Sequence, residues 1–368
     1  MNGSAASVFG ANVRRCRARI GISQESLAAR AGLDRSYIGG IERGERNPAL
    51  KAIVDLANAL DVGPGQLFYG IGDRTSGEDL SASQGGQGVT LRFRYDQHDA
   101  KFDLVGATLG ELEEVIGVLR SGLVSTSGRA DAVAGAFLDA VRRWPNLNPS
   151  DIWTFLIHRA YCDRGSHPLA AARLNLEQSW KRTSGWALER VLVQHYAPFL
   201  ERAGIVLKIG LRSEKKQWFD SIGDPRLLPD KADVLIARKL SGTEQPVGVI
   251  HVKASIAERR TDDVPMSQAL MEAGLLSVFW TMDVKSHPSA TPTNRGEFGQ
   301  AADGQARSEK RMDFEENGHF SACFSYNGNT IPTPISRKAR SRIFVCDFRN
   351  PDDLFTKFLR RGADQIHR

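Results

Sequence analysis

Cysteine is scarce in this chain of 368 residues: there are four, Cys16, Cys162, Cys323 and Cys346, and no Cys-x-x-Cys pair. Spacing this wide argues against a disulfide scaffold and a zinc ribbon, and fits a reducing, cytoplasmic setting. Long apolar runs are missing as well. No stretch approaches the roughly eighteen consecutive apolar residues of a membrane span. The opening MNGSAASVFG lacks the apolar core of a signal peptide, so no membrane partner is expected. Internal repeats are absent, and composition is unbiased. With 41% hydrophobic and 25% charged residues, wholesale disorder is excluded and a substantial core is possible. The length suggests two or three domains. A net charge of +6 permits a polyanionic partner without identifying one.

What is present divides near residue 70. Residues 1–70 read as a compact, all-helical unit. Residues 71–88 are rich in Gly and Ser and read as a flexible linker. Residues 89–174 read as a mostly helical intermediate segment: two short strands at 89–94 and 102–107 are followed by helices at 109–119, 129–143 and 150–163. Trp144, Trp153, Phe155 and Tyr161 there sit at spacings that suit packing, not a stacking surface for bases. From 175 to 368, helices alternate with β-branched strands, which predicts an α/β core. A Gly, Ser, Pro and Asn-rich stretch, 283–341, reads as a loop insertion.

The first sixty residues hold clear helix punctuation. Asn12–Ile20 places Val13, Cys16 and Ile20 at helical spacing. Ser23 caps Gln24–Ala31 and Gly32 ends it; Asp34 caps Arg35–Arg43 and Gly44 ends it. A fourth helix, Ala49–Leu60, aligns Leu50, Ile53, Leu56 and Leu60. The short join Ala31-Gly32-Leu33 is the turn of a helix-turn-helix. The text SQESLAARAGLDRSYIGGIERGERNPALKAIVDLANALDV resembles the phage-repressor (XRE-like) helix-turn-helix family over Phe9–Phe68. The resemblance implies double-stranded DNA as partner, with the third helix in the major groove. It implies Gln24 as a phosphate contact, Arg35, Ser36 and Tyr37 at the base-reading end, and a structural Arg17–Glu42 pair. Gly39 and Gly40 depart from the pattern, each costing about 0.8–1.0 kcal/mol against Ala inside a helix. Gly40 holds a position often used for base contact, so either the backbone approaches DNA there or readout is poor. A small bundle for protein contacts is the alternative.

In the second half, a helix over Trp186–Ala203 turns Leu188, Leu192, Tyr196 and Phe199 inward. Strands follow at Ile205–Ile209, Ala232–Ala237, Val249–Val252 and 275–280. Asp233 opens one strand and Lys253 ends the next. An acid and a lysine at neighbouring strand ends can meet around one phosphate. Carboxylates hold Mg²⁺ against the scissile group, and the lysine acts on the attacking water and the crowded phosphorus. Pro229-Asp230 makes Asp230 a competitor, but Asp233 opens the apolar strand directly.

This order of helix, strands, acid and lysine resembles the PD-(D/E)XK nuclease superfamily. Glu189, on the preceding helix, matches the outer carboxylate of many such nucleases. Lys253-Ala254-Ser255-Ile256-Ala257-Glu258-Arg259-Arg260 resembles the segment after the catalytic lysine in restriction endonucleases of the CCGG and CCNGG group, and Asp262-Asp263-Val264-Pro265 with SWKRTSGWALE resembles its BsaWI-type branch. The likeness, over about 175–282, implies a restriction-endonuclease-like core with a mixed sheet, so the fold class is α+β and multidomain. It implies Mg²⁺ as cofactor, Asp233, Lys253 and Glu189 as catalytic residues, and Glu258, Arg259 and Arg260 reading base edges. One position departs: His251 stands two before Lys253, where an acid belongs. In the CCGG-type enzymes that acid moves to the next helix, where Ser267 and Gln268 fall nearest and Asp263 and Glu272 lie farther off. Gln268, through its amide oxygen, and His251 are the candidate metal ligands in its place; His251 reads more simply as a core histidine.

The remaining histidines show no metal spacing, and His158 and His195 read as structural. The basic run Arg337–Arg342 reads as either a phosphate grip or a solvated face. A type II restriction endonuclease acting on a palindromic site as a homodimer is the leading expectation. Its N-terminal domain would add DNA affinity or repress its own promoter until a cognate DNA methyltransferase has protected the genome. The competing expectation is a non-enzymatic transcriptional regulator with an inactive nuclease-like domain. A ligand-sensing repressor would need a pocket signature that the text does not carry.

Overall fold

The computed structural model describes residues 5–68, 80–95, 98–123, 128–163, 167–168, 175–256, 260–287, 290, 292–298 and 308–366. The chain divides into two compact units, Met1–Gly77 and Glu78–Arg368.

The first unit is helical: α1 (Ala5–Arg19), α2 (Gln24–Ala31), α3 (Arg35–Glu42), α4 (Leu50–Ala59) and α5 (Pro64–Leu67). The caps fall where the side-chain chemistry placed them. The Ser23 hydroxyl accepts from the Ser26 amide, Gly32 is left-handed at φ 65°, and the Asp34 carboxylate accepts from the Ser36 amide. Phe9, Val13, Leu27, Ile38, Ile41, Leu56 and Leu60 form its core.

The second unit opens with an antiparallel sheet of β1 (Leu80–Gly85), β2 (Gly88–Tyr95) and β3 (His98–Val105). Helices α6 (Leu109–Leu123) and α7 (Arg129–Arg143) follow. A continuous helical run then takes in α8 (Pro149–Asp151), a π-helical stretch Ile152–Ile157 and α9 (His158–Cys162). Helix α10 (Leu176–Leu200) leads to β4 (Ile205–Lys208), α11 (Arg212–Ile222), β5 (Val234–Leu240), β6 (Thr243–Lys253), α12 (Arg260–Glu272) and β7 (Leu276–Thr281). The chain closes with α13 (Glu309–Glu315), β8 (Ala322–Ser325), β9 (Ile343–Val345) and α14 (Leu354–Ile366). Strands β4 to β9 form one mixed sheet in sequence order, antiparallel through β6 and parallel from β6 onward.

Three boundary expectations change. Residues 80–88, read as linker, are strand and turn, because β2 supplies the pairing for a largely exposed edge strand whose own composition carries little strand signal. Residues 89–174 are not a separate body. Val89, Leu112, Phe137, Trp153 and Tyr161 share one core with Leu188, Val234, Trp280 and Phe355. The stretch 283–341 is no simple insertion, for it contributes β8 and buries Phe298, Phe314, Phe320 and Phe324.

Strand β6 needs a glycine. A Cβ on Gly248 would lie 2.1 Å from the Leu276 carbonyl oxygen of β7. Gly248→Ala should therefore destabilise the second unit by about 1–3 kcal/mol or more, read as a lower midpoint in urea unfolding of the full chain. An unchanged midpoint would contradict the close β6–β7 approach.

Candidate active site

Antiparallel pairing sets the beginning of β5 beside the end of β6, with Val234 opposite Ile250. Asp233, just ahead of β5, therefore faces Lys253, the last residue of β6. Its Oδ2 accepts from the Val252 amide at 2.8 Å and from Lys253 Nζ at 2.9 Å. A third group completes the cluster. Asp263, in the first turn of α12 and 2% exposed, brings Oδ2 to 3.4 Å from Lys253 Nζ. Burial opposes the Lys253 charge, but the two carboxylates outweigh it and its pKa rises.

Glu189 enters from α10. It lines a cleft with two lobes of about 770 and 780 Å³ that share Gln178, Arg182, Trp186, Glu189 and Asp233. Lys253 lies on one lobe and Asp230 on the other; Lys181, Arg212 and Lys215 add positive charge around them. Burial, and then the nearby Asp233 charge, push the Glu189 carboxyl up to about 7. Two carboxylates raising one another's cost in a basic-lined cleft form an oxygen donor set that suits a hard divalent cation.

The other expected residues sort as follows. Asp230 lies in the turn Pro229–Lys231, paired with Arg212 at 3.0 Å, both exposed. Gln268 is exposed and five residues after Asp263 on α12, hence about 140° around the helix from it; it does not join Asp233 and Lys253. His251 is fully buried, with Nε2 3.1 Å from the Ser277 hydroxyl, which bonds Ser267 in turn. Burial pushes its pKa down, and it is a core histidine. Glu258 and Arg259 lie outside the described residues, and of Arg260 only the backbone is described, at the start of α12. Within the basic run, Arg337 pairs with buried Glu315 at 3.0 Å, and Arg342 donates to the Thr333 and Pro334 carbonyls. Those two arginines are structural, neither solvated nor open to phosphate. Asp263 has no assigned role in the sequence reading; its one signal, an acid in the first turn of the helix after a lysine-ended strand, is a commonplace of helix starts.

In the first unit, Arg17 grips Glu42 through two bonds of 2.6 and 3.0 Å, and Gln24 Nε2 donates to Glu42 at 2.8 Å. Arg35 and Ser36 are exposed at the start of α3 and Tyr37 is half-buried. Gly40 is buried, and a Cβ there would meet the Arg46 side chain at 2.8 Å. A side chain at Gly40 would therefore need Arg46, which is exposed, to move aside.

Comparison with known proteins supports both units. A helix-turn-helix family model matches residues 13–67. The type II restriction enzyme AgeI of Thalassovita gelatinovora is 39% identical over 240 residues, 62% of this chain and 82% of that enzyme. The structure of an AgeI–DNA complex aligns at a TM-score of 0.67 with 33% identity, over 74% of this chain and 99% of the AgeI chain. The control protein C.SmaI of Serratia marcescens is 43% identical over 61 residues, 17% of this chain and 73% of the control protein.

The raised Glu189 pKa has a stability consequence. The folded protein holds this proton up to about pH 7, whereas the unfolded chain releases it near the ordinary carboxylate value. Stability is therefore lost as pH rises through that window. Glu189→Gln should be more stable than the parent by about 1–3 kcal/mol at pH 8 in chelator, and equal to it at pH 4. Equal unfolding midpoints at pH 8 would show that Glu189 carries no such burden.

Proposed function

The chain belongs to the family of type II restriction enzymes that includes AgeI, and on that premise we propose how this site-specific endodeoxyribonuclease works. The cofactor would be Mg²⁺, which Asp233 and Asp263 would hold, with Glu189 as an outer carboxylate. The observation that carries the reading is the convergence of Asp233 and Asp263 on Lys253 Nζ at 2.9 and 3.4 Å. On this reading Asp263 stands in for the acid missing at His251, and its 3.4 Å approach to Lys253 supports an active domain.

Lys253 orients the attacking water and offsets charge on the crowded phosphate; Lys181, Arg182, Arg212 and Lys215 draw the DNA backbone into the cleft. When bound, the divalent ion lowers the pKa of its water and neutralises charge developing on the phosphate. The likeness of residues 253–260 to the CCGG group supports a palindromic site with a CCGG-type core, read by Glu258, Arg259 and Arg260. A palindrome cut on both strands calls for a homodimer.

The first unit binds DNA on its own account, with Gln24 on phosphate and Arg35, Ser36 and Tyr37 at base edges. Its similarity to a control protein favours repression of its own promoter while a methyltransferase protects the host genome.

Plasmid DNA incubated with the full chain should give discrete fragments with Mg²⁺ and none with chelator. Retarded but intact DNA would favour the inactive regulator. Asp233→Ala, Lys253→Ala and Asp263→Asn should each lower cleavage by about 100-fold or more, while Gln268→Ala cuts like the parent. A fully active Asp263→Asn variant would remove that residue from the site.

Arg35→Ala separates the two DNA surfaces. It should weaken operator binding by residues 1–77 by about 1–3 kcal/mol, measured by mobility shift, and leave the cleaved sequence unchanged. A changed cleavage sequence would move recognition to the first unit.

A further inference from the structure

Away from the cleft, the second unit brings three different ligand-type side chains together. His158 and Cys162 stand four residues apart on α9, a spacing that puts both on one helix face. Glu177 comes from the first turn of α10. One donor atom from each, the imidazole nitrogen, the thiol sulfur and a carboxylate oxygen, lies within 4.8 Å of the other two. His158 Nε2 and Glu177 Oε2 are 3.2 Å apart.

We propose that His158, Cys162 and Glu177 form a zinc site. Tetrahedral Zn²⁺ with bonds of about 2.0–2.3 Å holds its ligands roughly 3.3–3.8 Å apart, so this triangle needs only side-chain adjustment to close on one ion. The donor set selects the metal: a thiolate and an imidazole suit Zn²⁺ and are poor ligands for Mg²⁺, which demands oxygen. The imidazole is already oriented, since its ring stacks on Trp180 at 4.7 Å and 9°. His158 is largely covered whereas Glu177 is half open, which leaves the fourth position to water on the Glu177 side. On binding, the Cys162 thiol gives its proton to solvent.

The place in the fold gives the site a task. Glu177 is followed on α10 by Gln178, Arg182, Trp186 and Glu189, all of which line the nuclease cleft. A zinc ion here clamps the N-terminal turn of that helix to α9, through residues that do not themselves line the cleft.

The test uses the full chain, stripped with chelator and titrated with Co²⁺. A cobalt–thiolate charge-transfer band should appear with one equivalent and be displaced by one equivalent of Zn²⁺. Cobalt in the nuclease site, bound by oxygen alone, gives no such band, so Asp233→Ala should retain it in full. Cys162→Ser should abolish the band, and Glu177→Ala, at a half-exposed position that leaves folding intact, should weaken Co²⁺ affinity at least tenfold. Absence of the band in the parent protein would overturn the proposal, and so would its survival in Cys162→Ser or unchanged affinity in Glu177→Ala.

Discussion

The ammonium of Lys253 between the carboxylates of Asp233 and Asp263 is the constraint on which the second unit turns. A buried lysine is expensive unless paired, and here its partners come from separate elements: one precedes β5, the other opens α12. The ion cluster therefore records the tertiary arrangement. It exists only if β5 and β6 pair in their observed register and α12 lies back against the end of β6. The Val252 amide bonded to Asp233 joins the carboxylate to the backbone, so the acid is positioned by the sheet and not by its own rotamer alone.

With Glu189 added, the cluster holds three carboxylates against one ammonium. When all are ionised the excess is two negative charges, which one divalent cation would neutralise. The carboxyl of Glu189 responds to that excess: burial and the Asp233 charge together push it up to about 7. The surrounding cleft carries the opposite sign through Arg182, Lys181, Arg212 and Lys215. A polyanion is thus attracted to the rim and repelled by the floor until the floor is neutralised, which separates holding DNA from cutting it. Trp186, 53% exposed between Arg182 and Glu189 on α10, gives the same cleft an apolar wall.

How far the sequence could be read depended on the range of the contacts. The caps, left-handed glycine and Arg17–Glu42 pair of the helix-turn-helix were legible because they are written over short distances; the start of α1 at Ala5, ahead of Asn12, and the 75% exposure of Leu50 were not. In the second unit, Asp233 and Lys253 were legible because each ends or opens an apolar strand. Asp263 was not, since a carboxylate in a helical first turn is commonplace and its worth comes from folding back over β6. Residues 283–341 misled for a related reason. Averaged over the stretch, Gly, Pro, Ser and Asn outweigh the short run HFSACFSY, yet that run supplies β8, and its strand is identified by pairing with β7 and β9. Composition registers what a segment is made of, whereas the sheet selects four residues of it and buries them all. The same limit applies to the candidate site: Asp233 and Asp263 meet at Lys253, Glu189 and Asp233 share the cleft, and no local pattern can join residues so far apart before the sheet does.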